Sequence, residues 1–90
     1  MNKAKATANF KKHNVTFDEA STVFSDSLAR IFDDEENSAV ERREIIIGHS
    51  ITTRLLLVCF TELGVDLIRI FSARQATKNE RQDYEETAND

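Results

Sequence analysis

The chain has 90 residues, 40% of them hydrophobic and 31% charged, with a formal net charge of −4. That is one small domain with a modest core, too rich in apolar residues for the disordered class and too acidic for indiscriminate nucleic-acid binding by its whole surface. No apolar run approaches the roughly 20 residues a membrane span needs. The longest, LLLVCF, suits a buried strand, and the basic opening MNKAKATANFKKHN lacks the apolar centre of a secretory signal. The lone cysteine, Cys59, excludes an internal disulfide and a cysteine-built zinc site. It fits a cytoplasmic protein, and inside an apolar run it reads as a buried small side chain.

Residues 3 to 13 are rich in alanine and lysine, with Ala6 and Phe10 on one face, and predict a helix that Asn14 closes in the left-handed conformation. Thr16 and Glu19 form a capping box for a second short helix, whose apolar face is Phe17, Ala20, Val23 and Phe24. LARIF (28–32) reads as a strand, and DDEENSAVE as a polar loop. REIIIGHS (43–50) and RLLLVCFTE (54–62) are further strands, the second apolar on both faces as a central strand would be. After a turn at 63–66, LIRIFS (67–72) alternates Ile68 and Ile70 with Arg69 and Phe71. Thr77 and Glu80 form a second capping box, opening a helix to about Glu86 before a frayed tail at 87–90. Two N-terminal helices, about four hairpin-linked strands and one C-terminal helix predict an α+β domain spanning 1–90, an antiparallel sheet with helices on one face.

Charge is segregated along the chain. Up to Val15 there are four lysines and no acid; from Thr16 to Glu36 there are seven acids against Arg30 alone. Basic residues gather again at Arg69, Arg74, Lys78 and Arg81, so a local anion site is compatible with the acidic total.

The segments ANFKKHNVTFDEASTVFSD, NSAVERREIIIGHS, RLLLVCFTE and, above all, IRIFSARQATKNERQDYE resemble the BrnT family, over about residues 6 to 86. The resemblance implies a RelE-like ribonuclease fold and the toxin of a bacterial type II toxin–antitoxin module. Such a toxin cuts RNA with neither metal nor cofactor. It also implies a BrnA-like ribbon-helix-helix antitoxin, contact with operator DNA only through the antitoxin complex, and no membrane partner. A homodimer or a larger toxin–antitoxin assembly is compatible with it. The chain departs from the family pattern where a first strand would precede Lys5, at Asn37 and at Leu63.

Metal-free cleavage needs the ribose 2′-hydroxyl held in line with its phosphate, cations for the phosphorane, and groups that move protons. Arg69 and Arg74 are the candidates for holding phosphate through the planar guanidinium fork, with Lys12 assisting. The alternative is that they pair with acids such as Glu41 or Glu80. His13, Glu41 and Tyr84 are the candidates for proton transfer, against the readings of a helix-end histidine, an ion pair with Arg43 and a packing tyrosine. Lys11, Arg43 and Arg81 are candidate RNA contacts, Arg81 sharing a helix face with Tyr84. A different class of function stays open, a catalytically degenerate toxin that binds antitoxin and tunes the module's promoter.

Overall fold

The computed structural model describes residues 3–37 and 41–88. Three expectations from the sequence fall wholly or partly outside them: residues 38–40 of the polar loop, the segment before residue 3, and residues 89 and 90 of the tail. Helix α1 runs Lys3–His13, α2 runs Phe17–Thr22 and a single 3₁₀ turn covers Val23–Ser25. Strands β1 (Arg30–Asp33), β2 (Glu44–His49), β3 (Leu55–Gly64) and β4 (Leu67–Gln75) follow, then α3 (Lys78–Ala88). The strands form one antiparallel meander in the order β1-β2-β3-β4. This is the small α+β architecture that the sequence predicts. No described helix is long and apolar enough to cross a membrane.

Helix boundaries follow the local chemistry. Asn14 closes α1 with φ 56°, its amide donating to the Phe10 carbonyl. Thr16 Oγ1 accepts from the Glu19 amide at 3.0 Å. The Glu19 carboxylate leaves the capping box instead, and binds Ser50, Thr52 and Arg54 in the β2–β3 turn. The second box is complete: the Thr77 amide donates to Glu80 Oε1 at 2.8 Å and the Glu80 amide to Thr77 Oγ1 at 3.2 Å.

The main core lies on one face of the sheet, where Val15, Phe17, Ala20 and Val23 cover Ile46, Leu56, Val58, Phe60, Ile70 and Ala73. Phe24 meets Phe60 edge-to-face at 4.9 Å. The expectation that all helices share one face is corrected. Helix α3 crosses to the opposite face, where Tyr84 packs with Ile47 and Leu55. The reason is β3 itself: being apolar on both faces, it presents Leu55 and Leu57 where the first two helices cannot reach.

Several boundaries move for identifiable reasons. β1 starts two residues late because Asp26 organises a turn, accepting from the Leu28 amide through its side chain and from the Ala29 amide through its carbonyl. β4 extends to Gln75 because its ladder with β3 continues through Leu57–Arg74 and Leu56–Gln75, and the Asn9 amide pairs its outer edge, accepting from the Ala73 amide and donating to the Ala73 carbonyl. Asn9, not Phe10, is therefore the buried residue of α1, and Phe10 stays 45% exposed. The terminal helix continues past Glu86, where Arg30 donates to the Thr87 carbonyl at 2.7 Å.

Candidate functional site

Beyond the footprint of α3, the second face of the sheet is open, leaving a depression of about 450 Å³. Its floor is Ile45, Leu57, Cys59 and Ser72; its walls carry Lys5, Arg43, Phe71 and Arg74, with Asp34 and Glu36 at the margin. What brings Arg74 here is an irregularity in β4. Phe60 pairs with Ile70 and Cys59 with Ser72, so Phe71 is the extra residue of a β-bulge. The bulge reverses the alternation beyond it. Ala73 turns into the main core, and Arg74, opposite Leu57, joins Arg69, opposite Thr61, on the open face.

Phe71 is the hub of this surface. The Arg43 guanidinium lies 3.9 Å from its ring centroid, the Lys5 ammonium 5.0 Å and the Arg69 guanidinium 5.9 Å. Glu41 bridges two of these cations, with Oε1 at 3.8 Å from Arg69 and 4.0 Å from Arg43. Arg74 is held more tightly, donating to both carboxylate oxygens of Glu80 at 2.7 and 2.8 Å. That pair of hydrogen bonds holds the Glu80 carboxyl down at about 2, against the opposing effect of burial. Both pairings raised by the sequence as alternatives to phosphate binding, Arg69 with Glu41 and Arg74 with Glu80, are thus present.

Arg69, Arg74, Glu41 and Arg43 therefore come together on one face. The other candidates do not join them there. Lys11 and Lys12 are exposed and His13 half-buried at the end of α1; Lys12 keeps the helical stripe of Lys5 and Asn9 but lies two turns beyond Lys5. Tyr84 is buried under α3, its hydroxyl donating to the Leu28 carbonyl at 3.1 Å and its ring edge-on to His49 at 5.7 Å. Burial raises its pKa. Arg81 sits on the solvent side of the same helix, 3.8 Å from Glu85 one turn on. The spacing of three residues leaves about 60° between Arg81 and Tyr84 around the helix, enough for one to be buried and the other not.

Cys59 is half-buried, its thiol 3.5 Å from Asp34 Oδ2. Burial first, and then Asp34, push its pKa up to about 11, so it remains a thiol rather than a nucleophilic thiolate. Among the described residues no three His, Cys, Asp or Glu side chains gather as metal ligands would. Sequence reasoning missed Lys5 and Phe71 as members of this surface. A lysine in the first turns of an alanine-rich helix carries no signal of its own, and period-two counting puts Phe71 on the face of Arg69 without showing that Lys5 and Arg43 converge on its ring.

What these residues build is an aromatic-centred surface of arginine, lysine and carboxylate side chains on the open face of a small α+β domain. The chain belongs to the BrnT family: the family described as "Ribonuclease toxin, BrnT, of type II toxin-antitoxin system" matches residues 2–80. It is accordingly a member of a family of type II toxin–antitoxin ribonuclease toxins, a class that implies an antitoxin partner. No curated protein matches the chain.

Proposed function

We propose that this protein is a growth-inhibiting toxin that cuts cellular RNA in the cytoplasm without a metal, at the open face of its sheet, and that a BrnA-like antitoxin neutralises it. The observation that carries this reading is the bulge at Phe71, which sets Arg69 and Arg74 on the same face as Arg43 and Lys5. The chemistry asked of them is modest. An RNA backbone lying across the depression places a phosphodiester among the cations; the neighbouring 2′-hydroxyl attacks phosphorus in line, guanidinium groups stabilise the charge of the phosphorane, and the bond to the 5′-oxygen breaks to leave a 2′,3′-cyclic phosphate and a 5′-hydroxyl protonated from water. Glu41, already bridging Arg69 and Arg43, is the carboxylate positioned to orient them or to take the hydroxyl proton.

A second reading has its own observation. Arg74 already spends both arms of its fork on Glu80, and Asp34, Glu36 and Glu41 offset the cations of the face. A toxin that retains antitoxin binding without cleavage would tolerate such a balance. Incubating purified protein with RNA in the presence of a chelator separates the two. Cleavage that Arg69→Ala abolishes supports the ribonuclease; intact RNA, together with normal growth on expression, supports the non-cleaving module.

A further inference from the structure

Among the described residues Phe71 belongs to neither apolar cluster, although it is an aromatic residue in the middle of a strand. Its neighbours are instead a lysine from α1, an arginine from the segment before β2 and an arginine from β4. Three like charges at one spot repel each other; Glu41 offsets part of that repulsion between Arg69 and Arg43, and the negative face of the phenyl ring offsets it for all three. Alternation along β4 puts Phe71, two residues after Arg69, on the open side, and the bulge adds Ser72 and Arg74 to that side while Ala73 returns to the core.

We infer that Phe71 is a positioning residue for the RNA site, gathering Lys5, Arg43 and Arg69 into one phosphodiester-binding group. This rests on the ribonuclease reading above, and adds Lys5 to the cations that contact the RNA backbone. Phe71 acts through the three cations and touches no reacting atom.

The test uses the full chain with a 2′-O-methyl RNA oligonucleotide, which binds but offers no 2′-hydroxyl for attack, and with unmodified RNA for turnover. Phe71→Leu keeps apolar bulk and removes the π face. It should weaken binding of the oligonucleotide about fivefold to tenfold, with a salt dependence shallower by about one counterion. It should raise KM by a similar factor and lower kcat far less than Arg69→Ala does, since the guanidinium is loosened rather than removed. Phe71→Tyr should restore wild-type affinity, and Lys5→Ala should cost less in the Phe71→Leu background than in the wild type. In wild-type NMR spectra the Lys5 ε and Arg43 δ protons should be shifted upfield by the ring and should move on titration with the oligonucleotide, whether or not the leucine variant folds. Unaltered binding by Phe71→Leu, failure of Phe71→Tyr to restore it, or unshifted Lys5 and Arg43 resonances would overturn the inference while leaving the ribonuclease standing. If the wild type neither binds nor cuts RNA, the ribonuclease reading falls and takes this inference with it.

Discussion

Arg69 and Arg74 stand five residues apart in β4 and nevertheless share one face of the sheet. In an uninterrupted strand an odd separation puts two side chains on opposite faces. The extra residue, Phe71, converts the odd separation into an even one in the ladder with β3. The two arginines then differ in how they are held: Arg69 lies 3.8 Å from Glu41, whereas Arg74 makes two short bonds to the carboxylate that caps α3.

That difference makes Arg69 the cleaner probe of chemistry. Arg69→Ala should lower RNA cleavage by about 100-fold to 1,000-fold, the usual effect of removing one electrostatic stabiliser. Because the side chain is half exposed and loosely paired, the free energy of unfolding of the variant in urea should stay within about 0.5 kcal/mol of wild type. Full activity in this variant would remove Arg69 from the site.

Arg74→Ala should loosen the start of α3 as well as the RNA surface, since it strips Glu80 of its partner. Amide exchange around residues 78–81 should quicken relative to that of β3, and the stability cost should be about 1 kcal/mol for so exposed a pair. Exchange that stays at wild-type rates would show that the capping box alone holds the helix.

Glu80 and Glu19 each have a carboxyl lowered from 4.5 to about 2, Glu80 chiefly by Arg74 and Glu19 chiefly by Arg54. A depressed folded-state pKa means that the ionised pair stabilises the fold above the unfolded value of 4.5, and that this stabilisation drains away as pH falls towards 2. Urea unfolding followed between pH 5.5 and 2 should therefore show falling stability, with a slope that Glu19→Gln and Glu80→Gln each reduce. Equal slopes in wild type and both variants would refute the assignment.

Asn9 donates to the carbonyls of Val15 and Ala73 and accepts from the Ala73 amide, all within 3.0 Å. Asn9→Asp preserves size but sets an acceptor against two carbonyl oxygens, and should destabilise by about 2–4 kcal/mol at neutral pH. Burial beside those carbonyls raises the folded pKa of the new carboxyl, so the penalty should shrink as pH falls and the acid regains a proton to donate. A melting temperature independent of the substitution would contradict the edge-pairing role.

Gly48 lies where the turn after α2 meets β2. A β-carbon there would stand 2.8 Å from Ala29 Cβ and 3.1 Å from both Asp26 Oδ2 and Val23 Cγ1. Gly48→Ala should cost about 1–3 kcal/mol by forcing that turn outwards, and should weaken the bond from the His49 amide to Asp26. Thermal melts of the variant check this directly.

Local rules carried much of the fold. The Asn14 cap, the Thr77–Glu80 box and the apolar run of β3 are short-range signals, and each appears where the sequence puts it. Glu19 shows where such signals stop, because its capping role was outcompeted by Arg54, Ser50 and Thr52, which are more than 30 residues away in the chain. The side of the sheet taken by α3 was equally illegible, since a strand apolar on both faces accepts a helix on either.

By itself, then, the sequence determined the kinds of element, their order, the central strand and two arginines worth suspecting. Those follow from propensity, periodicity and capping, which act over a few residues. Only the tertiary structure decided that Phe71 interrupts the ladder, that Arg69 and Arg74 consequently face the same way, and that Lys5 comes to them from α1. The physical reason is that a one-residue slip changes the face of every side chain beyond it, and such a slip is set by pairing with another strand rather than by the strand's own residues.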